Sequence, residues 1–297
     1  MRLYLTETIR GHQAPITALT TLHNRTLISG AGDGSILTHS FDGALPNITM
    51  HGHNGAVLAL AAFRESHFVV SASADQTLML WNAETGECVR TLCGHEGAVT
   101  AVALADEGRV IISGGADGTV RVWDTLTGEP CGVYAGHLAA VRWLLPLAGA
   151  PQVLAGLTSD GVPHSIYLWD YRRGEQVRQF GDPHHPTSCA VLTPEGQLLT
   201  RDSGAVLLWD VQQGCVAQQW TLPTASVARA LFRSGRHVVL TMEPSQLAVW
   251  DLMQGEAAAS AALTVNEPTQ FMVTLDNRRV VVGSGEGLAY VYRLSSS

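Results

Sequence analysis

The sequence predicts an all-β chain made of seven repeated units, each a four-stranded antiparallel sheet. Three observations carry that expectation. Gly-His pairs stand at 11–12, 52–53, 94–95 and 136–137. Trp81, Trp123, Trp169, Trp209 and Trp250 follow one another at 40- to 46-residue intervals, and all but Trp81 precede Asp. Between these landmarks the apolar residues come in short runs with no helical period.

The elements follow in order. LMLW, VRVW, IYLW, VLLW and LAVW are runs of branched and aromatic residues that each read as a third strand. VVSAS, VIISGG and VVVGSG read as further strands, with apolar residues suited to a buried sheet. Extending the frame places His39 and Tyr292 at the tryptophan position of the first and last units. The last unit stops after VYRL, one strand short, while RLYLTETI at residues 2–9 precedes the first Gly-His as a fourth strand should. The expectation is one domain over residues 1–297, with residues 2–9 completing the last unit. A lone four-stranded sheet leaves apolar faces uncovered, so the units must stack, and radial stacking leaves only short exposed edges.

Composition narrows the function classes. A net charge of −8 argues against a dedicated nucleic-acid binder, because phosphate neutralisation needs a basic surface. No apolar run approaches the ~20 residues of a membrane span. MRLYLTETIR lacks a signal-peptide core, which gives a cytoplasmic expectation and no membrane partner. Five cysteines without a Cys-x-x-Cys spacing fit reduced thiols. All 18 basic residues are arginine; a GC-rich genome is one explanation and selection against modifiable amines another.

The Gly-His and Trp-Asp pairs at this spacing resemble the WD-repeat β-propeller family, and the resemblance spans essentially the whole chain. It implies a seven-bladed propeller. It also implies a structural network in each regular blade: His53, Ser71, Asp75 and Trp81 in one, His95, Ser113, Asp117 and Trp123 in the next. The first blade carries His12, Ser29 and Asp33, but His39 stands where tryptophan is expected. The fourth has His137 and Asp160, with Gly156 in place of the serine; later units lose the Gly-His pair. A Ser-His-Asp hydrolase competes for the same residue types. Repetition in two units favours scaffold. The glycines of GGADG lead from strand into strand, not from strand into helix as a phosphate loop requires.

The resemblance further implies partner contacts three and five residues after each Gly-His histidine. Among these, Pro15, Thr17, Leu58, Thr100, Arg142, Thr187 and Glu267 are the expected top-face contacts, with His185 also in that frame. Two adjoining loops, SDGVPHS (159–165) and GDPHHPTS (181–188), add Asp160, His164 and His184 to that face. The same loops carry the rival expectation, an enzyme or metal-dependent binding protein, since histidine and aspartate serve both chemistries. On the opposite face, turns gather Arg172, Arg173, Arg233, Arg236, Arg278 and Arg279, a weaker candidate surface for an acidic partner. The resulting expectation is a non-enzymatic scaffold or adaptor, a monomeric propeller within a hetero-complex that binds a protein or peptide. No cofactor and no metal are expected.

Overall fold

The computed structural model describes the chain except at residues 1, 44, 136–138, 159–165, 181–188, 194, 202–204, 222–226, 229–237, 244–245, 252–255, 263–270, 275–278 and 296–297. Its strands pair into four-stranded antiparallel sheets, the blades of a propeller. The first blade holds Ile16–Leu22, Thr26–Ala31, Ile36–Ser40 and Thr49–Met50, and the second Val57–Ala62, Phe68–Ser73, Thr77–Asn82 and Cys88–Cys93. The third holds Val99–Ala105, Val110–Gly115, Val120–Asp124 and Pro130–Tyr134; the fourth Ala140–Pro146, Gln152–Thr158, Ile166–Asp170 and Glu175–Phe180. The fifth holds Cys189–Leu192, Leu198–Arg201, Ala205–Asp210 and Cys215–Thr221; the sixth Val227–Ala228, Val238–Glu243, Gln246–Asp251 and Glu256–Ala262. A further sheet joins Phe271–Thr274, Arg279–Gly283 and Ala289–Ser295 to the N-terminal strand Arg2–Ile9. The only helical turn among the described residues is Asp106–Gly108.

Register explains the tryptophan spacing. Val69 faces Trp81, Ile111 faces Trp123, Val153 faces Trp169 and Leu198 faces Trp209. Leu27 faces His39 and Val280 faces Tyr292, so both occupy the same ladder position as the tryptophans. Trp81, Trp123 and Tyr292 are almost fully buried.

The core lies between the blades. Ala18, Ile28 and Ile36 of the first blade pack with Val57, Val69 and Trp81 of the second. Val70, Leu78 and Leu92 of the second meet Val99, Ile111 and Trp123 of the third. The third and fourth share Ile112, Val122, Val141 and Trp169, and the fourth and fifth share Leu154, Leu168, Leu207 and Trp209. Each fully buried large side chain contributes about 1.5–3 kcal/mol, so removing one blade would strip its neighbours of a core face.

Glycine sets the closeness of these seams. A Cβ at Gly114 would lie 2.4 Å from Val141 of the next blade, and one at Gly30 would lie 2.5 Å from Val57. On the outer side, Arg90 donates to the Leu126 and Thr127 carbonyls of the third blade, and Arg178 donates to the Gln213 carbonyl of the fifth. The seam between the N-terminal strand's sheet and the first blade carries Ile16 and Leu27 against Val281, Ala289 and Val291. An amide bond of 3.1 Å from Ile16 to the Ser284 carbonyl adds to it.

Candidate functional site

Two blades carry a complete buried hydrogen-bond chain. In the second, the Trp81 indole N–H donates to Ser71 Oγ at 2.8 Å, which lies 2.6 Å from His53 Nε2; His53 Nδ1 lies 2.8 Å from Asp75 Oδ2. The third repeats it: Trp123, Ser113, His95 and Asp117 are linked by three contacts of 2.8 Å. An indole only donates and a carboxylate only accepts, so the chain has one direction. The serine hydroxyl gives its proton to Nε2, and the Nδ1 proton goes to aspartate.

The aspartates also finish the turn. Asp75 accepts from the Asn54 amide and from both the amide and hydroxyl of Thr77; Asp117 accepts likewise from Glu96 and Thr119. Burial pushes the Asp75 carboxyl up, but hydrogen bonds from Thr77, His53 and the Asn54 amide outweigh it and hold it at about 2. Asp117 sits at about 2 for the same reason: burial is overcome by donors from Thr119, Glu96 and His95. Burial holds His95 below the ordinary imidazole range despite Asp117 beside it. Ser71 and Ser113 are 0% exposed, so no substrate carbonyl can approach either hydroxyl. In these two blades the triad-like set is scaffold.

The other blades show how the network changes. In the first, His12 Nε2 lies 2.8 Å from Ser29 Oγ, but Nδ1 meets Ser35 Oγ at 2.9 Å and Ser35 in turn donates to Asp33. Serine 35 is thus interposed between histidine and aspartate. His39 leaves Ser29 altogether and reaches Glu7 of the N-terminal strand at 3.2 Å, edge-on to Phe41. In the fourth blade the place of the serine side chain is filled by the Trp143 indole; a Cβ at Gly156 would lie 2.0 Å from it. There Trp169 stacks on Tyr134 instead, with centroids 5.8 Å apart. In the fifth, Trp209 donates to Thr200 Oγ1 at 2.7 Å. Thr200 is a network member that sequence reasoning missed, although a hydroxyl nine residues before the tryptophan was a usable signal.

The expected top-face contacts sort by the register of the first strands. Every one of the first four blades skips one residue there: Thr17, Leu58, Thr100 and Arg142 fall in the register shifts of their ladders. Such a bulge turns the extra side chain out of the sheet. Thr17 and Thr100 are half-buried because their hydroxyls donate to the Val57 and Val141 carbonyls of the next blade. Leu58 is half-buried, whereas Pro15 and Arg142 are exposed. The Pro15 carbonyl accepts from Gly32, which ties that loop to its own turn. Asp160, His164, His184, His185, Thr187 and Glu267 lie outside the described residues. Among the described residues, no three His, Cys, Asp or Glu side chains gather as metal ligands.

On the opposite face the described arginines already have internal partners. Arg172 pairs with Asp106 at 2.8 Å, Tyr171 donates to the same carboxylate, and Arg173 lies 3.9 Å from Asp170. Arg279 lies over the Phe41 ring at 5.0 Å, across the seam. Arg233, Arg236 and Arg278 lie outside the described residues. Cys88, Cys93, Cys131 and Cys215 are exposed on fourth strands, so they are surface thiols and contribute no core packing. No helix among the described residues is long and apolar enough to cross a membrane.

Residues 3–38, 45–82 and 86–124 match the family model described as WD domain, G-beta repeat. The chain is similar to the small ribosomal subunit protein RACK1 of Schizosaccharomyces pombe, 34% identical over 96 residues, which is 29% of this chain and 30% of that protein. It is similar to the F-box-like/WD repeat-containing protein TBL1X of Homo sapiens, 35% identical over 82 residues, or 26% of this chain and 14% of that protein. A 43-residue stretch is 44% identical to eukaryotic translation initiation factor 3 subunit I of Meyerozyma guilliermondii, covering 14% of this chain and 12% of that protein. The chain thus spans under a third of the length of each of these relatives. The matched repeats, with their four-stranded sheets and two complete His-Ser-Asp-Trp networks, make residues 3–124 similar to the WD-repeat β-propeller family.

Proposed function

We propose that the chain is a non-enzymatic interaction platform, a single propeller over residues 1–297 that holds a protein or peptide partner on the rim formed by the first-strand bulges. The seven blades form one closed ring, with Arg2–Ile9 as its last strand. The carrying observation is the run of bulges at Thr17, Leu58, Thr100 and Arg142. Four neighbouring blades turn one side chain each out of the ladder at the same end, while the polar residues that resemble catalytic groups are sealed inside. Relatives named as parts of the ribosomal subunit and of an initiation factor support a role within a protein assembly. Cytoplasmic residence fits those relatives. The loops 159–165 and 181–188, outside the described residues, also serve as partner contacts in this reading.

Affinity capture from the native source tests the platform. The wild-type chain should retain a defined protein at stoichiometric yield, and Leu58→Glu combined with Arg142→Glu should release it without unfolding the propeller. Capture unchanged by both substitutions would move the interface elsewhere.

A further inference from the structure

The four bulges are not equivalent. Thr17 and Thr100 spend their hydroxyls inside the protein, each on the carbonyl immediately before the bulge of the next blade. Thr17 thereby fixes the backbone that presents Leu58, and Thr100 fixes the backbone that presents Arg142, at 2.5 Å from the Val141 carbonyl. The residue after Arg142 is anchored too, because the Trp143 indole fills the space over Gly156 and packs against the core shared by the fourth and fifth blades. Arg142 therefore projects from a backbone held on both sides. Its guanidinium is exposed, and no ion pair or hydrogen bond to it is found among the described residues. The opposite-face arginines Arg172, Arg173 and Arg279 differ in this respect, being engaged with Asp106, Asp170 and Phe41.

A guanidinium presents a planar fork of donors that matches an oxyanion in two-point contact, and a held backbone lowers the ordering cost of using it. We infer that Arg142, on the bulge pinned by Thr100, receives an oxyanion on an extended peptide segment of the partner. A carboxylate or a phosphoryl group supplies that chemistry equally. Arg142 makes the contact and Thr100 is a positioning residue. This inference rests on the platform reading and specifies the chemistry of its rim.

Peptide-phage selection against the intact chain tests it. The enriched peptides should share an Asp or Glu, and replacing that residue by Asn or Gln should weaken binding at least tenfold, as should Arg142→Glu. Arg142→Lys should recover part of the loss. Synthetic peptides carrying phosphoserine at that position distinguish the sources: tighter binding assigns a phosphoryl ligand, equal or weaker binding a carboxylate. Thr100→Val should weaken the acidic peptide severalfold, whereas Thr100→Ser, which keeps the hydroxyl that reaches the Val141 carbonyl, should retain most of the affinity. Enrichment of peptides lacking an acid, or of acidic peptides indifferent to Arg142→Glu, overturns the inference and leaves the platform standing. A chain that enriches no peptide overturns both.

Discussion

Serine 113 shows what a single hydroxyl does in this protein. It takes the Trp123 proton donor and supplies a proton to His95, with no solvent contact. Ser113→Ala leaves two buried polar groups unpaired, and each costs about 1–3 kcal/mol. The variant should unfold at markedly lower urea, whereas Ser40→Ala, at a half-buried site, should change little. Acid should act in two stages. His12 and His95 are held below 6.5 in the folded chain by burial. Below 6.5 the unfolded chain takes up protons that the folded one refuses, so stability present at neutral pH declines as pH falls. Asp75 and Asp117 are held at about 2, against 3.8 unfolded, so a second loss begins below 3.8 and runs down to about 2. Melting temperature followed from pH 8 downward checks this; a flat profile between pH 7 and 4 would contradict the histidine stage. These residues were legible in sequence because their separations repeat. Ser35 and Thr200 were not: Ser35 stands where Thr77 and Thr119 finish the turn but takes the histidine contact as well, and Thr200 lies nine residues before its tryptophan where the regular serines lie ten.

The single blade is where spacing stops being informative and packing decides. The sequence shows Gly156 as a missing serine, whereas the structure shows a filled site: the Trp143 indole occupies that space. Restoring serine there should therefore destabilise the protein, by about 1–3 kcal/mol for an overpacked core. Gly156→Ser together with Trp143→Leu should recover much of the loss in a chemical-denaturation comparison. The cross-blade clasps from Thr17 and Thr100 were equally hidden. They depend on a register shift in one strand and a carbonyl some 40 residues away in another. The contacts of Arg172, Arg173 and Arg279 were not legible from their turns alone. Arg172 reaches Asp106 and Arg279 the Phe41 ring of neighbouring blades, while Arg173 lies near Asp170 of its own turn.

At the scale of the whole molecule, repetition makes the chain predictable and the departures from repetition make it specific. The N-terminal strand pairs with Ala289–Ser295 from Arg2 opposite Ser295 to Ile9 opposite Ala289. Glu7 reaches across to His39, which has left the internal network to do so. This pairing ties residues from opposite ends of the chain, so under the proposed ring closure deleting residues 1–8 should lower the melting temperature sharply; an unchanged melt would refute closure. The interaction reading draws on the rim rather than on the repeated interior. Hydrogen–deuterium exchange of the chain, free and bound to its captured partner, tests it most directly. The account expects slowed exchange at residues 12–17, 53–58, 95–100 and 140–143, lost on Arg142→Glu. Protection confined to the fourth strands Cys88–Cys93, Pro130–Tyr134 and Cys215–Thr221 would contradict it.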